Sequence, residues 1–470
     1  MSNSGGDPKS DLTMAARFGS PATTFAFGIR KNDGRYYRRP VNEGSFASSV
    51  RGRQVELGGG REPREGIDPK NLGEAGWGVV WSDGDTKTRI GPLLAPLLER
   101  REEQAGDRYF ETVLQTGTSA DKLLDQTQRA PGSPPDPAES APYYLLLVGD
   151  PATASFELQQ ELDLRYAVGR LFFDAPDSYG RYAQAVLAAE ARALRQRRML
   201  VFGTRHDGDL VTNACVDQLL MPLVGEMASR PGWSVEPTLG PAATRAELQG
   251  LIARPEASIL LTAAHSPVLE IGDPLQEALH GAIVTSEWAG PERDLAVERH
   301  HVVAAADLDR SLDLRGLIVV MVGCFSAGTP RFDGFIEKER VQLAPDPYVA
   351  AFPQALLDRG ALAVLAHVDS LYLHSFAWPG SSAEAQHQTY GDTLYRLGRG
   401  HRLGYAADPF GRRFGDLAQR VLASRLQPER YDDKATAAYW IGYHDARQYV
   451  VLGDPAVKLS VPPSAGEPAS

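Results

Sequence analysis

Cysteine is scarce in this chain, whose 470 residues contain only Cys215 and Cys324. Two cysteines provide no framework of disulfides and are typical of a protein in a reducing compartment. The first ten residues lack the basic start and apolar run of a secretory signal, and no stretch approaches the roughly 18 apolar residues of a membrane span. The sequence therefore predicts a cytoplasmic protein without a membrane partner.

Positive charge and recognisable ligand motifs are also lacking. The net charge is −11, which argues against nucleic acid as a partner. No glycine-rich loop ends in the Lys-Ser/Thr pair of a phosphate-binding loop. The ten histidines are scattered, and His300-His301 lies in a charged stretch that is more typical of a solvated loop than of a metal site. We therefore expect no metal and no cofactor.

Apolar runs of strand length alternate with helical patterns from residue 198 onward. The runs at residues 199–204, 259–265, 317–324 and 361–367 are apolar throughout, as in strands buried on both faces of a parallel sheet. This alternation predicts an α/β fold with a mostly parallel sheet flanked by helices. Four parts are predicted: a tail at 1–22, a first lobe with a bridging helix at 23–195, a second lobe at 196–462, and a tail at 463–470.

Two of these runs end in a reactive side chain followed by small residues. His265 and Ser266 follow one run, and Cys324 ends the other, between Gly323 and a Gly328-containing turn. Each alone is more typical of a structural residue, since buried cysteine behaves as a small hydrophobe and histidine as a hydrogen-bonding group. Together, at strand ends that meet in one crevice, they predict an activated thiol. We expect Cys324 to be exposed in its turn.

The predicted chemistry is amide hydrolysis. The thiolate of Cys324 attacks the carbonyl carbon and His265 protonates the leaving amine. Backbone N–H groups of Cys324 and Ser266 are the candidate donors to the oxyanion. Because no acidic residue obviously orients His265, the sequence predicts a catalytic dyad.

The chain resembles the gingipain family of cysteine peptidases, which are relatives of caspases and CHAT peptidases. The likeness lies in the strand pair at residues 143–150 and 168–171, the His265 and Cys324 strands, and the closing motif at 451–455. The resemblance implies a caspase-like catalytic domain at 196–462, preceded by a non-catalytic caspase-like lobe. Where the family has Gly-His-Gly, this chain has Ala264-His265-Ser266. The family's acidic partner of the histidine falls near His206, so that Asp207 or no residue serves.

The resemblance also implies a specificity. Asp217 falls where gingipains have the aspartate that holds a basic side chain before the cleaved bond, while Phe376 or Trp378 falls at an aromatic wall of that pocket. The alternative for Asp217 is a carboxylate favoured near a helix start by the helix dipole, and the two aromatic residues are equally typical of a core. Cleavage after Arg or Lys is thus expected.

The function that the resemblance implies is an intracellular endopeptidase acting on protein substrates, with stress or antiviral defence as the expected context. A longer stretch between His265 and Cys324 suggests a zymogen, clipped by an activating protease at a loop that carries one of several arginines: Arg293, Arg299, Arg310, Arg331 and Arg340. Two alternatives stay open. One is a catalytically silent caspase-like binding module, and the other is a cysteine hydrolase or acyltransferase acting on small molecules.

Overall fold

The computed structural model describes residues 23–24, 27–38, 41–42, 62–115, 123, 135–137, 141–192, 196–254, 256–293, 296–334, 341–376 and 387–462. The predicted tails at 1–22 and 463–470, together with Trp378 and Arg340, lie outside these residues. Within the described part of the chain, no helix combines the length and the apolar character needed to cross a membrane.

The strands form one large sheet and several two-stranded ribbons. In chain order the strands are β1 Thr23–Thr24, β2 Gly28–Arg30, β3 Val41–Asn42, β4 Trp77–Trp81, β5 Tyr109–Val113, β6 Tyr144–Val148, β7 Ala167–Leu171, β8 Arg197–Gly203, β9 Trp233–Leu239, β10 Ile259–Ala263, β11 Ser266–Val268, β12 Ile283–Val284, β13 Val302–Val303, β14 Ile318–Val322, β15 Gly328–Thr329, β16 Tyr348–Val349, β17 Ala363–His367 and β18 Tyr449–Gly453.

Ten of these strands form a continuous sheet in the order β5-β4-β6-β7-β18-β17-β14-β10-β8-β9. Every neighbouring pair is parallel except β17 with β18, which is antiparallel. The sheet therefore consists of two parallel halves that run in opposite directions. The predicted α/β class with a mostly parallel sheet is confirmed.

Helices flank this sheet, as the alternating pattern predicts. They are α1 Leu72–Ala75, α2 Gly84–Ala105, α3 Phe156–Leu162, α4 Asp177–Glu190, α5 Leu210–Cys215, α6 Met221–Ala228, α7 Arg245–Ile252, α8 Gln276–Leu279, α9 Ala351–Asp358, α10 Gln388–Gly398, α11 Leu403–Ala406, α12 Asp408–Leu426 and α13 Asp433–Arg447. A π-helical turn at Val216–Leu220 joins α5 to α6. The pattern of residues 403–447 predicted none of the last three helices.

The closing motif joins the two halves of the sheet. β18, the last of the described strands, lies between β7 and β17. Just after it, the Asp454 carboxylate accepts hydrogen bonds from Trp77 Nε1 at 3.0 Å and from Arg101 Nε at 2.7 Å. One cluster of buried side chains contains residues of both halves, from Trp77 to Leu261. The predicted boundary at 195–196 falls between α4 and β8, and a shared sheet and core cross it.

Candidate active site

His265 and Cys324 leave neighbouring strands at the same level. β10 and β14 are parallel, with Ala263 opposite Val322, and each reactive residue lies two positions beyond that pair. Carboxyl ends of adjacent parallel strands open onto one edge of a sheet, which is where α/β proteins place their sites. The sheet thus brings the two predicted catalytic residues to one edge.

Both ring nitrogens of His265 face acceptor oxygens. Nε2 lies 2.6 Å from Asp209 Oδ2, and Nδ1 lies 2.5 Å from the carbonyl oxygen of Phe27. A neutral imidazole donates from one nitrogen only, whereas an imidazolium donates from both. Both ring nitrogens are thus engaged by acceptors, and in this arrangement neither is free to take a proton from a thiol.

Asp209 is the acidic partner that the sequence did not reveal. It follows β8, the strand next to β10, and caps α5 by accepting from Val211 N. Tyr36 Oη and Thr212 Oγ1 also donate to its carboxylate, each at 2.6 Å. Burial alone would raise the pKa of Asp209, but His265 and these hydrogen bonds hold it well below its usual range. The carboxylate is therefore ionised and fixes the ring of His265.

The residues considered for that role at the sequence level lie elsewhere. Asp207 is exposed, with its carboxylate 3.8 Å from Arg293. His206 is buried, its Nδ1 is 2.9 Å from the carbonyl oxygen of Trp288, and burial lowers its pKa to about 4. The expectation of a dyad without an acid was wrong, because Asp209 reaches His265 from the next strand.

Cys324 is fully buried, so the expected exposure of its thiol was wrong. The sulfur accepts a hydrogen bond from Leu371 N at 3.0 Å, in the loop after β17. Burial raises the pKa of the Cys324 thiol well above its usual range, and the Leu371 N–H opposes this only in part. In this arrangement the sulfur is a thiol rather than the reactive thiolate.

A short stretch of the first lobe covers both residues. We call residues 27–38 the covering segment. Its strand β2 pairs with β11 in parallel register, Gly28 opposite Ser266. The Phe27 N–H bonds the Leu371 carbonyl at 2.8 Å, and a Cβ on Gly28 would lie 3.5 Å from Cys324 Sγ. The segment thus contacts the histidine with Phe27 and the thiol with Gly28.

Ser266, the second predicted oxyanion residue, lies under this cover. Its hydroxyl donates to the Ala282 carbonyl oxygen at 2.6 Å, which fixes the side chain away from any catalytic role. Its backbone belongs to β11, beside Gly28. The oxyanion position predicted between the backbones of Ser266 and Cys324 therefore adjoins the covering segment and stays a prediction.

The predicted substrate-binding residues are dispersed. Asp217 lies in the π-helical turn, 38% exposed, and forms an ion pair with Arg205. Phe376 is fully buried and packs edge-on against Phe27, with ring centroids 5.9 Å apart. Phe27 of the covering segment thus occupies the space beside Phe376, where the resemblance places a wall of the substrate pocket. The role of Asp217 stays a prediction.

A second cluster of ionisable groups was not predicted. Asp333, Asp369 and His444 are buried, and one ligand atom of each lies within 4.8 Å of the others, a set that could hold a metal ion. Here the positive charge comes from Arg38 of the covering segment, whose Nη1 is 2.7 Å from Asp333 Oδ2. Burial, together with Asp333, raises the pKa of Asp369 to about 7. Beside the cluster, Asp369 and His444 line a cavity of about 120 Å³.

Some signal for the missed residues is present in the sequence. Asp209 precedes Leu210-Val211 at a helix start, where a capping carboxylate is expected, and it follows the strand next to β10. The covering segment has no such signal, since Phe27 and His265 are 238 positions apart.

No protein family and no curated protein matches the chain in sequence comparison. Among solved structures, the chain is similar to the Arg-specific cysteine proteinase gingipain R (TM-score 0.46, 13% identity, covering 85% of this chain and 80% of that one). It is similar to the complex of Porphyromonas gingivalis RgpB pro- and mature domains (TM-score 0.43, 11% identity, 82% and 80%). It is also similar to the Saccharomyces cerevisiae separase–securin complex (TM-score 0.31, 9% identity, 67% and 16%). Two of these neighbours are thus gingipain structures, the family that the chain resembles in sequence.

Proposed function

We propose that the chain is a cysteine endopeptidase that cleaves protein substrates after a basic residue. Cys324 is the nucleophile, His265 transfers the proton, and Asp209 holds the imidazole. The observation that carries this proposal is the alignment of these groups at the ends of β14, β10 and β8, with His265 Nε2 bonded to the buried Asp209.

The reaction follows from this placement once the covering segment has moved. Once the Phe27 carbonyl has left, Nδ1 of His265 releases to water the proton that it shared with that carbonyl, and it can then take the proton of Cys324. The thiolate adds to the substrate carbonyl, and collapse of the adduct breaks the C–N bond while His265 protonates the amine. Water then hydrolyses the thioester, which restores the thiol and releases the acid. Backbone N–H groups of Cys324 and Ser266 are the proposed oxyanion donors.

The covered state supports synthesis as a zymogen. A fully buried thiol with a raised pKa is unsuited to attack a carbonyl carbon. A histidine whose two ring nitrogens both face acceptors is unsuited to take the proton of that thiol. Activation then requires displacement of the covering segment. Arg310 and Arg331 are exposed loop residues that an activating protease could reach. We also propose a location in the cytoplasm, from the scarcity of cysteine, and a role in stress or antiviral defence, from the resemblance in sequence; neither rests on this site.

A binding module without turnover is the second candidate. One observation favours it, namely the tight seating of the cover, with Phe27 and Ile29 fully buried. Such a module would recognise its partner without ever exposing Cys324. The Cys324→Ala variant separates the two candidates, because a pure binder keeps its function in that variant.

The test is hydrolysis of a fluorogenic peptide panel with Arg, Lys, Asp or Asn before the reporter group. Intact protein and protein clipped with a trace of protease are compared, and Cys324→Ala is matched by Cys215→Ala, which removes the other buried thiol. We expect cleavage after Arg or Lys that the first variant loses and the second keeps. Silence of intact and clipped protein alike, on every peptide, would contradict the proposal.

A further inference from the structure

The guanidinium of Arg38 is held on three sides within the protein. Its Nη1 lies 2.7 Å from Asp333 Oδ2 and its Nη2 lies 3.5 Å from Asp369 Oδ1. Its Nε donates to Ser370 Oγ at 2.9 Å. The Arg38 side chain is 14% exposed, and the two carboxylates are 0% and 2% exposed. Nη1 and Nε of the planar fork thus each lie within 3 Å of an oxygen, while Nη2 lies only within ion-pair range of Asp369. A single ammonium group cannot face several oxygens in this planar arrangement.

The residues that hold Arg38 adjoin the residues that contact Cys324. Ser370 precedes Leu371, whose N–H bonds the sulfur of Cys324 at 3.0 Å. On the covering segment, Tyr37 N donates to the Gly28 carbonyl at 2.8 Å, and Gly28 lies against that sulfur. The backbone that carries Arg38 therefore passes close to the thiol while its side chain enters the acidic pocket.

When both of its carboxyl groups are ionised, the pocket requires a cation to be stable. Two carboxyl groups buried side by side repel each other when both are ionised, and a buried carboxylate without a partner is costly. Asp369 also has a left-handed backbone, with φ 69°, which is unusual for a residue other than glycine. Such conformations persist where the surrounding structure enforces them, and they cluster at binding and catalytic sites.

We propose that Asp333, Asp369 and Ser370 form the pocket that selects an arginine side chain of the substrate, and that Arg38 occupies it as an internal substitute. This inference rests on the proposed peptidase function and names its substrate class, arginine in preference to lysine. It moves the specificity site from Asp217, whose carboxylate Arg205 already engages, to a buried pair beside the nucleophile.

The test is direct binding of agmatine, a small molecule that carries the guanidinium of arginine, measured by titration calorimetry on the full chain. In the Arg38→Gln variant the pocket loses its internal guanidinium, and we expect agmatine to bind at least tenfold more tightly than to the unaltered protein. Adding Asp333→Asn should weaken that binding at least tenfold. Adding Asp217→Asn instead should leave it unchanged, as the matched control.

Absence of agmatine binding to folded Arg38→Gln protein would overturn the proposal, as would loss of binding with Asp217→Asn. If Arg38→Gln does not fold, Arg38→Lys keeps a buried cation, and agmatine should displace that ammonium and bind more tightly than to the unaltered protein. Failure to bind there overturns the proposal equally.

Binding and turnover report separately on the pocket and on the peptidase. Agmatine binding without hydrolysis of any peptide would support the pocket and contradict the peptidase. The opposite result is hydrolysis that is lost in Cys324→Ala while the preference for Arg over Asn peptides is the same in Asp333→Asn as in the unaltered protein. That result would support the peptidase and overturn the pocket.

Discussion

Arg101 and Arg38 are both arginines whose guanidinium groups lie against two carboxylates. Arg101 is fully buried, with Nε 2.7 Å from Asp454 and Nη2 2.7 Å from Glu190. It lies in α2, a helix of 22 residues. Arg38 pairs in a similar way with Asp333 and Asp369, but it belongs to a short segment whose only strand has three residues.

The difference lies in what else holds each arginine. Releasing Arg101 means detaching a long helix from the sheet, which is a global event. Releasing Arg38 means detaching residues 27–38, whose backbone pairs with β11 along one strand only. Local opening costs far less than global unfolding where few contacts are lost. Under the proposed function, the same chemical pair would be a permanent tie in one region and a releasable tie in the other.

Removal of the permanent tie should have the largest effect. In Arg101→Met, Asp454 and Glu190 lose a buried cation, and breaking a buried pair in this way costs about 3–5 kcal/mol. We expect the free energy of unfolding in urea to fall by about that amount. The double variant Arg101→Met/Asp454→Asn should recover part of the loss. If the free energy of unfolding fell by less than about 1 kcal/mol, Arg101 and its carboxylates would not be an important stabilising contact.

Removal of the releasable tie should cost less stability and change reactivity more. In Arg38→Ala the carboxylates of Asp333 and Asp369 can regain water when the covering segment opens. The loss of stability is therefore limited to the free energy of closing that segment. In a Cys215→Ala background, we expect alkylation of Cys324 by iodoacetamide to quicken about tenfold, which corresponds to about 1.4 kcal/mol. If Arg38→Ala left the alkylation rate unchanged and lowered the free energy of unfolding as much as Arg101→Met does, the distinction between the two regions would be lost.

Proton uptake at Asp369 should distinguish the two ties further. Its pKa is raised to about 7 in the folded protein, against about 3.9 for an unfolded aspartate. The folded state binds the proton more tightly, so this contribution to stability is full below about pH 4 and is lost as the pH rises toward 7. We expect the stability of the unaltered protein relative to Asp369→Asn to fall across that window and then level off.

Thermal unfolding of both proteins between pH 4 and pH 8 checks this. Histidines remote from Asp369, such as His280, contribute equally to each protein and cancel in the difference, whereas His367 and His444 lie close enough to Asp369 to add to it. Ser370→Ala is the control, since it removes a hydrogen bond to Arg38 but no titrating group. A difference that grows in favour of the unaltered protein as the pH rises would contradict the expected sign.

The smallest effect is expected from Gly28→Ala. The added Cβ would lie 3.1 Å from Val268 Cγ2 and 3.5 Å from Cys324 Sγ. Such crowding costs about 1 kcal/mol, so alkylation of Cys324 should quicken by about fivefold, less than in Arg38→Ala. Gly225→Ala meets nothing within 4 Å and should leave the alkylation rate unchanged. Equal rates in the two glycine variants would show that the cover is not seated against the thiol.

The sheet and its two reactive strand ends could be predicted from sequence, because apolar runs such as residues 259–263 and 318–322 carry a local signal. Asp209 was within reach of the same reasoning, since it follows a neighbouring strand and begins a helix. The burial of Cys324 was not, because it depends on a polar, glycine-containing segment that pairs with residues far along the chain. Long-range contacts of this kind leave no periodic pattern.

The placement of β18 has a consequence for biosynthesis. The strand Tyr449–Gly453, which follows every other described strand in the sequence, lies in the middle of the ten-stranded sheet, between β7 and β17. While the chain emerges from the ribosome, the earlier half can form but cannot join the later half until residue 453 has been translated. The covering segment, by contrast, is translated before every strand of the later half. It is therefore available as soon as the ends of β10 and β14 come together, so that the proposed site can be covered from the moment it forms.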